Sequence, residues 1–173
     1  MWPAAMWMRY EHVIRHAAGL GKVADDHNDP DRYEKTHAHC DILVVGGGAN
    51  GLTAALQAAS GGARVILADE QNEFGGWLLG EANISIDEQP ATSWIAKMTN
   101  QLAAMPNVKL LLRTTVFGYM DHNFLTLTER VTDHLGERPA HLPRQRMWKV
   151  RAQQVIIAQG AHERPLVFAG NDI

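Results

Sequence analysis

The chain has 173 residues, of which 46% are hydrophobic and 20% are charged, as in a soluble globular protein with room for one domain and short appendages. Its formal net charge of −3 gives no electrostatic basis for binding nucleic acid or an anionic membrane. A single cysteine excludes an internal disulfide framework and fits a reducing compartment. The sequence has neither a signal-peptide pattern nor an apolar run long enough to span a bilayer, so we expect a cytoplasmic protein.

The amino-terminal part is predicted to be a helix followed by a polar linker. Apolar side chains recur at helical spacing over residues 6–20, and residues 22–38 are mostly polar. Trp2 and Trp7 place large apolar surface near this end of the chain, where it packs either on the following domain or on a neighbouring chain. We assign residues 1–38 to this extension and residues 39–173 to the domain.

Residues 40–70 have the pattern of a βαβ unit. The apolar run 40–45 predicts a buried parallel strand, the alanine-rich run 52–60 predicts a helix, and 64–68 predicts a second strand. The turn between the first strand and the helix contains Gly46, Gly48 and Gly51, which have the G-x-G-x-x-G spacing of dinucleotide-binding turns. The alternative is a turn in which the glycines serve only packing.

Each of these three glycines has a predicted role. Gly46 allows the tight turn, Gly48 leaves room for a pyrophosphate, and Gly51 lets the helix approach the strand. Ala49 and Asn50 begin the helix, whose unpaired backbone N–H groups and positive dipole end attract phosphate.

An acidic residue at the end of the second strand completes the unit. Asp69 is predicted to accept hydrogen bonds from the adenosine ribose, and the packing-only alternative leaves this residue unexplained. Glu70 and Gln71 follow it without a nearby lysine or arginine in sequence, which favours an unphosphorylated ribose. Gly75 and Gly76 let the backbone pass close to a ligand, with a mobile surface loop as the alternative.

The remaining sequence predicts the rest of an α/β domain. A helix is expected over residues 90–105 and a third parallel strand over 108–113, followed by Thr115 and Val116, whose backbone can hold an adenine ring. The runs 117–120, 124–131 and 147–151 predict an antiparallel meander. The run 154–158 is a further buried strand, and its end at Ala158, Gln159 and Gly160 brings backbone under the dinucleotide.

The fold class predicted is therefore α/β, a Rossmann-like FAD/NAD(P)-binding domain with a parallel sheet, an antiparallel meander and an amino-terminal helical extension. No residue is assigned a catalytic role and no metal site is predicted. The predicted cofactor-binding residues are Gly46, Gly48, Ala49, Asn50, Gly51, Asp69, Glu70, Gln71, Gly75, Gly76, Thr115, Val116, Ala158, Gln159 and Gly160.

Several motifs carry a resemblance to a known family. They are residues 69–76 (DEQNEFGG), 113–119 (RTTVFGY), 121–122 (DH), 129–135 (ERVTDHL), 143–146 (PRQR) and 163–168 (ERPLVF). The order of these motifs is similar to that of two-dinucleotide-binding-domain flavoproteins, and more closely resembles the large (alpha) subunit of heterotetrameric sarcosine oxidase. The family usually has proline and alanine where this chain has Ala49 and Asn50, and threonine where it has Gln159.

The resemblance implies an NAD site in this domain, with FAD as the alternative. It also implies a beta subunit and other partners of a heterotetramer, with FAD and FMN on the beta chain or its interface. Such a complex demethylates sarcosine to glycine, passes the one-carbon unit to tetrahydrofolate and reduces oxygen to hydrogen peroxide. By this resemblance the chain is a middle piece of the alpha subunit, and its dinucleotide fold ends early. Two other hypotheses are the FAD-binding lobe of an amine or amino-acid dehydrogenase and a non-catalytic scaffold with a vestigial nucleotide site.

Overall fold

The computed structural model describes residues 6–19, 29–81, 83–161 and 168. The chain divides into two compact units, Met1–Asp31 and Arg32–Ile173. In the first unit, helix α1 spans Trp7–Ala17 and contains no buried residue. Trp2 falls outside the described residues, so the contact predicted for the amino-terminal tryptophans stays a prediction.

Among its described residues, the second unit combines strands with two α-helices and a short 3-10 helix. The helices are α2 (Ala49–Ser60), α3 (Ala91–Ala104) and the 3-10 helix Gly76–Gly80. The strands are β1 (Tyr33–Val45), β2 (Val65–Ala68), β3 (Ser85–Ile86), β4 (Gln89–Pro90), β5 (Val108–Leu111), β6 (Thr114–Met120), β7 (Phe124–Arg130) and β8 (Gln145–Ile157). None of the helices in the described residues combines the length and the apolar content needed to cross a membrane.

The main sheet has the strand order β5-β2-β1-β8-β7-β6. The β5–β2, β2–β1 and β1–β8 pairs are parallel, whereas the β8–β7 and β7–β6 pairs are antiparallel. The predicted fold class, a parallel sheet extended by an antiparallel meander, is confirmed. Because β1, β2 and β8 run in the same direction, their carboxyl ends meet at one edge of the sheet, where ligands bind in open α/β folds.

Two strands are longer than the sequence pattern predicts. β1 begins at Tyr33 rather than at Cys40, because its polar first half pairs with β8 from Tyr33↔Gln145 onwards. β8 is continuous from Gln145 to Ile157, so the predicted third meander strand and last parallel strand are one element. Its first half closes the meander against β7, and its whole length pairs with β1. Residues 33–38, which the sequence suggested as linker, are therefore strand.

Two apolar cores lie against this sheet. One packs α2 and α3 on the sheet and includes Leu52, Leu67 and Leu102, each fully buried. The other joins the meander to the parallel strands and includes Leu43 and Leu127, also fully buried. Full burial of one such side chain stabilises a fold by roughly 1.5–3 kcal/mol. The two cores fix the ends of β1 and β2, and with them the turn that follows β1.

Candidate dinucleotide-binding site

The turn after β1 packs so closely that Gly46 and Gly51, the first and last glycines of the motif, have no space for a side chain. Gly46 has φ +102°, and a Cβ atom there would lie 2.5 Å from the carbonyl oxygen of Ala158. A Cβ atom at Gly51 would overlap the carbonyl oxygen of Gly46. The turn itself therefore requires glycine at both positions, before any ligand is considered.

Gly48 differs from these two because a Cβ atom there would meet nothing within 4 Å. It is the N-cap residue of α2, with φ −71°, and no side chain caps the helix. The first backbone N–H groups of a helix have no partner within the helix and attract anions. Gly48 therefore borders open space at this uncapped helix end.

Asp69 holds the turn from the end of β2. One carboxylate oxygen accepts the backbone N–H of Gly47 at 2.5 Å, and the other accepts that of Gln71 at 2.7 Å. The residue is 9% exposed. A carboxylate has about four lone-pair positions, so two hydrogen bonds leave acceptor capacity for hydroxyl groups. The carboxylate thus lies at the glycine turn, bonded to the residue that precedes Gly48.

The Gly75-Gly76 pair runs along the other side of the turn. The backbone N–H of Gly75 donates to the carbonyl of Gly47 at 2.8 Å, and Gly75 forms a parallel bridge with Gly48. A Cβ atom at Gly76 would lie 3.3 Å from the Cα of Gly48. The pair is thus part of an ordered crossing of two backbones.

The remaining predicted residues reach the same edge from β6 and β8. The Ala158 N–H donates to the Val45 carbonyl at 2.7 Å, which places Ala158 against Gly46. Gln159 and Gly160 follow it and are exposed. On the meander side, Thr115 is exposed and Val116 lines a depression of about 220 Å³. The residues lining this depression are Val45, Val116, Phe117, Gly118, Tyr119, Leu125, Ile157 and Gln159.

Sequence reasoning missed two residues that shape the site, Gly47 and Arg130. Gly47, the middle glycine, carries the N–H bonded to Asp69, and a Cβ atom there would overlap the ring of Phe74. The run of three consecutive glycines at 46–48 was the signal for this contact. Arg130 donates from Nη2 to the carbonyl oxygen of Glu70 at 2.7 Å. No local pattern points to Arg130, because it is distant in sequence from Glu70.

Cys40 carries a buried thiol. It is 2% exposed, and burial, with the nearby Asp41 charge as a second cause, raises its pKa to about 11. His37 and His39 lie on the other face of β1, since side chains alternate along a strand. In the described parts of the chain, no three His, Cys, Asp or Glu side chains are grouped to hold a metal ion.

Known proteins similar to this chain include oxidoreductases. The FAD dependent oxidoreductase family matches residues 41–109. The sarcosine oxidase subunit alpha of Rhizobium meliloti (strain 1021) is 51% identical over 173 residues, which cover 99% of this chain and 17% of the relative. The chain is homologous to one segment of sarcosine oxidase alpha subunits. The resemblance predicted from the motifs is confirmed.

A second sarcosine oxidase subunit alpha, from Corynebacterium sp. (strain P-1), is 48% identical over 155 residues, covering 89% of this chain and 16% of that relative. The chain thus spans about a sixth of the length of the alpha subunits it matches. Among solved structures, the L-proline dehydrogenase from P.horikoshii has a TM-score of 0.63 at 20% identity, covering 87% of this chain and 28% of that one. This likeness concerns the fold alone.

The departures from the sarcosine oxidase alpha pattern lie at exposed positions of the site. Asn50 is in the first turn of α2, and Gln159 lines the depression beside Val116. Both side chains are exposed, and neither fills the open face of Gly48. An asparagine side chain at Asn50 adds two N–H donors near the helix end.

Proposed function

We propose that this chain is the adenine-dinucleotide-binding domain of a sarcosine oxidase alpha subunit. The observation that carries the proposal is the contrast between Gly48 and its neighbours. Gly46 and Gly51 are glycine because the protein leaves no room, whereas Gly48 borders open space at the uncapped end of α2. Space reserved beside unpaired N–H groups suits a pyrophosphate.

In this proposal each segment contacts one part of the dinucleotide. The pyrophosphate lies over Gly48 and the first N–H groups of α2, at Ala49 and Asn50. The Asp69 carboxylate accepts the ribose hydroxyls with its remaining lone pairs. The other backbone contacts to the ligand come from two sets of residues: Glu70, Gln71, Gly75 and Gly76 on the β2 side, and Thr115, Val116, Ala158, Gln159 and Gly160 on the meander side.

The homology supports a proposal about the larger assembly. We propose that the whole protein works with a beta subunit and further partners in a heterotetramer that oxidatively demethylates sarcosine, with tetrahydrofolate and oxygen as acceptors. Within that assembly, we propose that this domain binds and orients a cofactor. NAD is the ligand implied by the resemblance, with FAD and FMN held by the beta chain or its interface. A cytoplasmic location stays a prediction.

FAD is a second candidate ligand, favoured by the match of residues 41–109 to FAD dependent oxidoreductases. NAD and FAD share the adenosine diphosphate half that this site would bind. They differ in the half that extends beyond Gly48 and Gly76. A yellow protein with flavin absorbance after the beta subunit is removed would favour FAD, and a colourless protein that binds NAD would favour the first proposal.

Calorimetric titration of the full-length protein with NAD, NADP and FAD tests the proposal. We expect NAD to bind more tightly than NADP, because a 2′-phosphate would face the Asp69 carboxylate. Asp69→Ala should weaken binding by about 1–3 kcal/mol through loss of a charge-assisted hydrogen bond. Glu73→Ala is the matched control, since Glu73 is an exposed acid of the same loop. Equal affinity of wild type and Asp69→Ala for every dinucleotide would refute the ribose assignment.

A further inference from the structure

The loop that carries Asp69 is held in place from the β5–β6 connection. The backbone N–H of Asp69 donates to the Leu111 carbonyl at 2.9 Å, and its carbonyl accepts the Thr114 N–H at 2.7 Å. The Gln71 carbonyl accepts the Arg113 N–H at 2.8 Å. Residues on both sides of Glu70 are therefore anchored by backbone hydrogen bonds.

Glu70 itself is anchored by a side chain. Its carbonyl oxygen accepts Nη2 of Arg130, the last residue of β7, at 2.7 Å. The backbone N–H of Arg130 donates to the Arg113 carbonyl at 3.0 Å, which ties the same arginine to the β5–β6 connection. A charged donor makes this bond stronger than a neutral one.

The bond from Arg130 acts on Asp69 through a single peptide group. The Glu70 carbonyl and the Gln71 N–H belong to one planar trans peptide, so fixing the first fixes the direction of the second. The Gln71 N–H is one of the two donors that hold the Asp69 carboxylate, at 2.7 Å. A guanidinium at the end of the meander thereby sets the orientation of a carboxylate at the end of β2.

We propose that Arg130 is a positioning residue for the carboxylate of Asp69 and so determines how well the site grips the adenosine ribose. The inference rests on the proposed dinucleotide function. Arg130 needs no contact with the ligand for this role. Its effect passes through the 70–71 peptide and appears only where the ligand offers a ribose hydroxyl to Asp69.

The test measures binding of ADP and of 2′-deoxy-ADP to the full-length protein freed of nucleotide, by calorimetry. We expect Arg130→Ala to weaken ADP binding about tenfold and 2′-deoxy-ADP binding much less. A misoriented Asp69 carboxylate loses mainly its hydrogen bond to the ribose hydroxyl, which 2′-deoxy-ADP lacks. Arg130→Lys keeps a charged donor and should recover part of the loss. Arg151→Ala is the matched control, since Arg151 bonds a carbonyl in the turn at His122 and leaves the Asp69 loop untouched.

A double-mutant cycle distinguishes positioning from general stability. Asp69→Ala combined with Arg130→Ala should bind ADP no more weakly than Asp69→Ala alone, since both act on one interaction. Additive losses, or equal loss of both ligands with a lowered melting temperature, would overturn the inference. If Asp69→Ala weakens ADP binding and Arg130→Ala does not, only the positioning role is wrong. If wild type binds no ADP, the proposed function and the inference fail together.

Discussion

At the scale of single residues, the glycines of one turn are required for different physical reasons. A side chain at Gly51 would collide with the carbonyl of Gly46. A side chain at Gly46 would be strained by the positive φ there and would collide with Ala158. A side chain at Gly48 would meet no atom of the described residues within 4 Å. The G-x-G-x-x-G spacing predicts all three, but only coordinates separate the glycines that the fold needs from the glycine that a ligand would need.

The contrast predicts opposite behaviour for two alanine variants. Gly51→Ala places a Cβ against backbone that cannot move aside, and should lower the free energy of unfolding by about 3 kcal/mol. Gly48→Ala adds a methyl to open space at φ −71°, so it should unfold like wild type yet bind dinucleotide weakly. Thermal unfolding and calorimetry check the pair. Full dinucleotide affinity in Gly48→Ala would show that its open face lies away from the ligand.

Burial decides the chemistry of Cys40. Its pKa of about 11, raised from an ordinary value of 9.0, leaves on the order of one thiolate in ten thousand at pH 7. We expect alkylation by iodoacetamide to be far slower in the native protein than in urea. Mass spectrometry of the modified peptide measures both rates. Rapid native alkylation would mean that β1 opens around this residue.

At the scale of elements, β1 and β2 are joined by an irregular pairing at their start. The backbone N–H groups of Asp41 and Ile42 both donate to the carbonyl of Arg64. The Arg64 side chain in turn donates to the Asp41 carboxylate from Nε at 3.1 Å and from Nη2 at 2.8 Å. The ion pair thus lies where the alternation of buried and exposed side chains along β1 shifts, between the buried residues Cys40 and Leu43.

This ion pair predicts an acid-dependent contribution to stability. Hydrogen bonds from the Arg64 side chain, then from its backbone, lower the pKa of Asp41 from 3.8 to about 2. Because the folded pKa lies below the unfolded one, the contribution is complete above the unfolded value and is lost as pH falls through the folded value. Asp41→Asn should therefore be less stable than wild type near neutral pH, and the difference should shrink between pH 3.8 and about 2. Urea unfolding across this range measures it, and a constant difference would contradict the assignment.

Hydrophobic periodicity predicts some of the helices and strands and misses others. Helices α2 and α3 and strands β2 and β5 follow from apolar spacing, because their buried faces are continuous. The sequence pattern did not predict the first half of β1 as a strand, because its exposed Lys35, His37 and His39 are typical of a linker. The partly buried Thr36 and Ala38 alternate with them, and only pairing with β8 makes that alternation meaningful.

At the scale of the whole molecule, sequence placed the βαβ unit and its acid because those residues are close along the chain. It could not place Arg130 beside Glu70 or Gln159 beside Val116, since those contacts depend on how the meander returns to the sheet. The bond from Gly47 to Asp69 also required the packed turn. The residue types of the site could be predicted from the sequence. The contacts that orient these residues depend on tertiary structure and could not.

The division of the chain into two units predicts where nucleotide binding resides. Each described contact of the site belongs to the unit Arg32–Ile173, so a variant lacking residues 1–31 should bind dinucleotide within about twofold of wild type. Removing residues 1–36 is the matched control, because it also deletes the β1–β8 pairs from Tyr33↔Gln145 to Thr36↔Trp148 and should lower the melting temperature. Calorimetry and thermal unfolding of both variants provide the measurement. Loss of binding in the shorter deletion without a lowered melting temperature would mean that the amino-terminal unit contributes to the site.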